Sequence, residues 1–168
     1  TDYFNLRIQI LCKCGNTRCQ SAPSDRYKNV FIHDGNPVVV SVDAVCTSLR
    51  DGISIAGTDL TQKWNSMCGW APAALLPVFQ ILGTEYRKKV ITTKFLDEVA
   101  NMDAFTKIDF TYNDAVASIK VAKAAKSEGE LIVTGTKGYI YVPAPWWKTD
   151  YFEVRYENTN ENKRYFYQ

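Results

Sequence analysis

From about residue 90 onward, apolar and polar side chains alternate with period two, the pattern of strands that bury one face. Phe152, Val154 and Tyr156 share one face of residues 151–157, with Glu153 and Arg155 on the other. The polar run 158–163 predicts a turn and 164–168 a returning strand, so this pair forms an antiparallel hairpin. Residues 130–134 and 138–142 are short β runs around Gly135-Thr136-Lys137-Gly138, a turn expected to use glycine for positive dihedrals. Residues 90–96, 106–112 and 115–125 alternate in the same way. Residues 38–49 start with a continuous apolar run and are expected to form an interior strand covered on both faces. About seven strands joined mostly by short turns predict an antiparallel meander.

Helical periodicity is confined to the middle of the chain. Pro72 suits a first turn, Leu75, Phe79 and Leu82 make one apolar stripe, and Gly83 is placed to stop the helix as a left-handed cap. Pro77 lies inside that helix and predicts a kink or a shortened first turn. Residues 58–65 predict a second short helix, with Thr58 or Asp59 as cap. Strands without regular strand–helix alternation define an α+β class: an open, mainly antiparallel sheet with a few helices on one face. Residues 1–37 fit poorly. Phe4, Leu6, Ile8 and Ile10 alternate like a strand, but 13–36 is polar, cysteine-bearing and irregular.

Composition narrows the function classes. The chain has 168 residues, 46% of them hydrophobic, and a formal net charge of +2. It is too apolar to be disordered, and folding should hide roughly two-thirds of its extended surface. A near-neutral balance supplies no field for nucleic acid or an acidic membrane, and no apolar run reaches about 18 residues. The opening residues lack a secretory pattern, so the five cysteines read as reduced thiols of a cytoplasmic protein. Cys12, Cys14 and Cys19 form C-x-C-x4-C without a second knuckle, and the single histidine, His33, is their nearest further ligand. The thiols are read as incidental rather than as a zinc site.

Catalytic motifs are missing. Gly135 and Gly138 are spaced G-x-x-G in a hairpin and open no helix to hold a pyrophosphate. Asp109 and Asp114 read as solvated strand-end charge. Two aromatic segments stand out. Pro143-Ala144-Pro145-Trp146-Trp147-Lys148 is read as an extended stretch whose tryptophans either form a ligand platform or cover the end of the sheet. Trp64-Asn65-Ser66-Met67-Cys68-Gly69-Trp70 leads into the helix, where free backbone donors face a cleft, which makes Trp64, Asn65 and Trp70 candidate substrate-binding residues.

The run SEGELIVTGTKGYIYVP, from Ser127 to Pro143, resembles the C-terminal domain of the Gfo/Idh/MocA oxidoreductases, which carries a similar G-T-K-G turn late in its sheet. Residues 40–47 and 69–83 resemble the earlier strand and helix of that domain, so the resemblance covers residues 38–168. It implies an open sheet with helices on one face and subunit assembly through the other. It also implies a parent enzyme that moves a hydride between NAD or NADP and a carbon–oxygen centre of a sugar or polyol derivative. The family's cofactor fingerprint and E-K-P lysine belong to a preceding Rossmann domain and are missing here, so this chain alone is expected to bind no cofactor and to be inactive. The family's aspartate and histidine, four apart on the helix, are also missing from residues 69–83. Both ends read as cut, with 1–37 an irregular or truncated segment ahead of the domain. The competing reading is a non-catalytic binding or scaffold module anchored on Trp146 and Trp147. Because one short helix cannot cover seven strands, a homo-oligomer through the open sheet face is expected.

Overall fold

The computed structural model describes residues 32–33, 36–49, 54–55, 58–59, 65–98 and 102–166. Expectations for 4–10, for Cys12, Cys14 and Cys19, and for Trp64 lie outside the described residues. Two small antiparallel pairs precede or interrupt the main fold: β1 (Ile32–His33) with β2 (Asn36–Pro37), and β4 (Ser54–Ile55) with β5 (Thr58–Asp59). The second pair corrects the start of the short helix expected over 58–65, because Thr58 and Asp59 are paired as strand and Asn65 caps a different, longer helix, while 60–64 lie outside the described residues. Polar residues able to cap a helix serve equally well in tight turns, and the sequence alone does not choose between these uses.

The main sheet is built from β3 (Val39–Leu49), β6 (Lys88–Asp97), β7 (Met102–Thr111), β8 (Val116–Ala122), β10 (Leu131–Gly135), β11 (Gly138–Val142), β12 (Tyr151–Tyr156) and β13 (Lys163–Phe166). Its order is β13-β12-β11-β10-β3-β8-β7-β6, and β9 (Ala124–Ala125) adds a bridge to the end of β3. The expected meander therefore exists as two separate meanders, β6–β8 and β10–β13. Between them lies β3, antiparallel to β10 but parallel to β8, with Val42 opposite Ala117 and Ala44 opposite Ile119. A parallel pair needs a long crossover, which here includes the helix and the β6–β7 hairpin. Residues Ala44–Thr47 are buried on both faces, as expected of an interior strand.

The helix α1 (Ser66–Leu82) starts six residues before Pro72, so that proline lies inside it and not in its first turn. Pro72 and Pro77 each remove one internal donor. Burial on one side offsets that loss: Ala71, Ala74, Val78 and Ile81, at spacings of three and four, are all buried. The expected stripe, Leu75, Phe79 and Leu82, lies one position round the helix and is half-buried on the flank of the core. Small alanines let α1 approach the sheet, where it packs on β3, β7 and β8. Gly83 ends the helix with φ 84° and ψ −178°, and its N–H donates to Phe79 O. This is an extended positive-φ state accessible essentially to glycine alone, distinct from the expected left-handed cap.

In the Gly135–Gly138 turn the need for glycine is steric. A Cβ on Gly138 would lie 2.4 Å from the carbonyl oxygen of Arg155 on the paired strand β12. The core lies on the helix side of the sheet: Val42, Ala44, Cys46, Ile108, Ile119, Val121, Leu131, Val133, Phe152 and Val154 all belong to it. On the opposite side one row of paired positions runs Val90, Asp109, Ser118, Asp43, Ile132, Tyr141, Glu153 and Arg164.

Candidate functional site

The two aromatic segments singled out by sequence, about eighty residues apart, meet over the second half of β3. Asn65, extended at φ −77° and ψ 177°, caps α1 by accepting the Cys68 N–H at 3.1 Å. Its side-chain oxygen is thus committed to the helix, the usual role of asparagine at this position. Ser66 is fully buried. Its N–H donates to Asp103 Oδ1 at 2.7 Å, and its Oγ accepts the Lys123 N–H at 2.9 Å. The Asp103 carboxylate, also buried, accepts Thr106 Oγ1 at 2.6 Å. A negative group at a helix start complements the helix dipole and fixes how α1 enters the site. Asp103 carried no sequence signal, because its burial depends on the helix start lying over β7.

One turn along, Trp70 donates its indole N–H to Ser48 Oγ at 3.0 Å. Its ring lies 5.2 Å from that of Trp147, and Trp147 meets Trp146 edge-on at 5.8 Å. Trp146 is buried, donating Nε1–H to Val45 O at 3.2 Å and its backbone N–H to Gly129 O at 2.9 Å. It therefore covers the sheet, the plainer of the two readings. The segment does not extend; Lys148 and Thr149 both donate backbone N–H groups to Pro145 O, closing a turn. Gly129 permits the approach of Trp147, whose Cη2 would lie 3.2 Å from a Cβ there. The loop before it is held by Thr47, whose hydroxyl accepts from Ser127 N at 2.9 Å and donates to Ser127 O at 3.1 Å. Beneath the cluster, burial pushes the Cys46 thiol up to about 12, outweighing the opposing hydrogen bond with Trp146. That keeps it a thiol rather than a nucleophile.

The result is an aromatic wall with two half-buried tryptophans, Trp70 and Trp147, in ring contact with each other. It suits stacking and orientation of a ligand rather than proton transfer. Trp64 lies outside the described residues. The glycines of the G-x-x-G turn do not form a phosphate cradle, since the space a Cβ would need at Gly138 is taken by the Arg155 carbonyl.

A second concavity, of about 730 Å3, lies at the C-terminal end of α1 between Val39, Ile81, Leu82, Glu85, Tyr112 and Asp114. Tyr112 donates its hydroxyl to Gly83 O at 2.9 Å, and burial, together with Tyr86, pushes its phenol up. Asp114 thus lines a cleft, whereas Asp109 pairs with Lys107 at 2.9 Å on the solvated face.

The open face carries a third cluster. Glu153 accepts Arg155 Nε at 2.7 Å and Arg164 Nε and Nη2 at 2.9 and 2.7 Å. The Arg155 guanidinium lies 4.4 Å from the Tyr141 ring centre, and that of Arg164 lies 4.6 Å from Tyr151. Burial raises the Glu153 carboxyl, but the hydrogen bonds from Arg164 and Arg155 outweigh it and hold the group below its ordinary value.

No family model matches the sequence, and no curated protein matches it. Solved structures do match in fold. KijD10, a 3-ketoreductase from Actinomadura kijaniata in complex with TDP-benzene and NADP, superposes with a TM-score of 0.61 at 7% identity, over 77% of this chain and 39% of that one. An NAD-binding oxidoreductase from Klebsiella pneumoniae matches with a TM-score of 0.57 at 12% identity, over 77% of this chain and 40% of its own. A levoglucosan dehydrogenase in complex with NADH gives 0.55 at 13%, with the same coverage. The chain shares the fold of part of these nicotinamide-dependent oxidoreductases and spans about two-fifths of their length. Among the described residues no helix is long and apolar enough to cross a membrane.

Proposed function

We propose that this chain is the substrate-side and assembly domain of an NAD(P)-dependent oxidoreductase of the Gfo/Idh/MocA type, acting on a sugar or polyol derivative. The observation carrying this reading is the fold shared over 77% of the chain with KijD10 and levoglucosan dehydrogenase. In the intact parent a Rossmann domain holds NAD or NADP, and the nicotinamide supplies the hydride chemistry. This chain contributes the far wall of the cleft, formed by Trp70 and Asn65 at the start of α1 and by Trp64 just ahead of it. The open sheet face, with its tyrosine–arginine cluster, contributes the contact between copies in a cytoplasmic oligomer.

The coding sequence upstream tests the enzyme reading: an in-frame G-x-G-x-x-G segment after a strand is expected. Purified Thr1–Gln168 is expected not to oxidise or reduce NAD(H) with any sugar, and turnover would overturn the division of labour. A coding sequence without the fingerprint would favour the second reading, a binding or scaffold module. What supports that reading is the open face, where Tyr139, Tyr141, Tyr151, Arg155 and Arg164 gather residue types that dominate protein interfaces. Trp146, buried against Val45, is unsuited to anchor such a surface.

A further inference from the structure

The two ends of the sheet differ. The strand order ends on β13, four residues long, at one side and on β6, ten residues long, at the other. Among the described residues nothing pairs with the outer edge of β6. Its register against β7 runs unbroken from Lys88 to Lys94 and shifts on both sides of Phe95, so the regular edge is the stretch Lys88–Lys94. A straight edge offers its outward N–H and C=O groups to a further strand. Val90 and Ile91, 42% and 51% exposed, stand on opposite faces of β6, where an added strand would cover both.

Charge along this strip selects the occupant. Lys88, Lys89 and Lys94 are exposed, and no acid stands between them in the chain. Lys88 and Lys94 share the open face with Val90 and Thr92, whereas Lys89 shares the helix side with Ile91 and Thr93. None of the three is in an ion pair; Lys89 has only the Tyr86 ring, 6.0 Å away. Arg87, just ahead, is exposed too, and its Nε donates to the neutral Asn113 side chain. On the neighbouring strand Asp109 is already paired with Lys107, and Asp103 is buried against the start of α1. Lysines on an edge repel strands that bring no acid, and the same lysines attract a strand that does. A copy of Lys88–Lys94 brings none, so the neutralising charge comes from another sequence. The fitting strand has acids opposite Lys88 and Lys89 at one end and Lys94 at the other, with apolar side chains between them opposite Val90 and Ile91.

We propose that the β6 edge from Lys88 to Lys94 is a docking strip for an extended acidic segment of a partner protein, which joins the sheet as an added strand. The strip lies at the opposite end of the sheet from the tyrosine–arginine cluster of β11–β13, and it does not rest on the enzyme reading.

The test uses the full chain and a labelled peptide, Glu-Glu-Val-Val-Val-Glu-Glu, blocked at both ends, whose sequence reads the same in either strand direction. Fluorescence anisotropy is expected to show saturable binding that weakens with salt. K88E/K89E/K94E is expected to weaken binding by about tenfold or more. Its melting curve is expected to be unchanged, because all three side chains are exposed. The inverse peptide, Lys-Lys-Val-Val-Val-Lys-Lys, is expected to prefer that variant over wild type. Proline in place of the central valine of the acidic peptide removes a ladder donor and keeps every charge, and is expected to abolish the gain from strand pairing. Amide exchange of residues 88–94 is expected to slow with the acidic peptide and not with its proline form. The proposal is overturned if the acidic peptide does not bind wild type up to about 1 mM, or if the triple variant binds it as wild type does. Equal binding of the proline form also overturns it, since the lysines would then attract any polyanion, and so does unchanged exchange at 88–94. Protection of those amides without peptide overturns it as well: constant protection would mean that a segment of this chain covers the edge, and protection rising with concentration that a second copy does.

Discussion

The two sides of the sheet are made by the same strands and held in different ways. On the helix side Val42, Ile119, Val121, Leu131 and Val154 are at most 1% exposed, and order there comes from volume filled against α1 and the aromatic wall. On the open side Ser41 bonds Asp43, Lys107 pairs with Asp109, and Glu153 sits between two arginines stacked on tyrosines. Order there comes from short polar contacts that water competes with. The helix side should therefore govern stability, while the open side remains free to evolve as a contact surface.

Neighbouring residues give the sharpest contrast. Val154→Asp places a carboxylate at a 1% exposed core position and should cost about 4 kcal/mol or more, read as collapse of the cooperative denaturant transition. A stable, cooperative variant would mean that this side is not the governing one. Next is the buried polar tie on the helix side: Asp103→Leu strands the Ser66 N–H and leaves the Thr106 hydroxyl only its contact with Thr93 Oγ1, and should cost about 3 kcal/mol by urea melting. Asp103→Asn, whose one amide oxygen can still accept the Ser66 N–H while its NH2 turns donor toward Thr106 Oγ1, should recover part of that loss.

Acid should affect the open side selectively. Glu153 is held below its ordinary value in the fold, so its contribution is present above the unfolded carboxyl range and is lost as pH falls through the folded value. Glu153→Gln should flatten that part of the stability profile below about pH 4.5 and cost about 1 kcal/mol at neutral pH. An unchanged acid profile would show that the arginine clamp contributes nothing. Arg155→Glu should shift stability by no more than about 1 kcal/mol while weakening any association through the open face in sedimentation. The smallest effect is chemical. Cys68, exposed on α1, should alkylate in the native protein by peptide mapping, whereas Cys46, buried with its thiol raised to about 12, should label only on unfolding.

Alternation made β6, β10, β11 and β12 legible to within a residue or two, because a strand with one wet and one dry face must alternate. By contrast, β7 starts four residues before the expected 106, and β8 ends three before the expected 125. The stripe Phe152, Val154, Tyr156 against Glu153, Arg155 falls as read. The helix was legible only in its second half. Its first turns, 66–71, hold Gly69 and precede a proline, and they are helical because Asn65 caps them and Asp103 receives Ser66. The candidate site was legible in its parts: both tryptophan segments were visible, but their meeting at 5.2 Å was not. Nor was the commitment of Asn65 to capping and of Trp146 to the Val45 carbonyl.

The sequence by itself determined the class, since the period-two pattern from about residue 90 onward commits the chain to a one-faced sheet whatever its order. Gly83 and Gly138 stand out in the sequence as stop and turn residues, but the extended positive-φ state of Gly83 and the carbonyl of Arg155 that a Cβ on Gly138 would meet belong to the structure. Only the tertiary structure decided that β3 enters between β8 and β10, parallel to one and antiparallel to the other. Strand order is set by which buried faces complete a common core, and a strand's own side chains match either neighbour equally well. The same holds for the aromatic wall. Each tryptophan announces itself locally, but which one stacks, which one is buried and which one donates a hydrogen bond depends on chain brought from about eighty residues away.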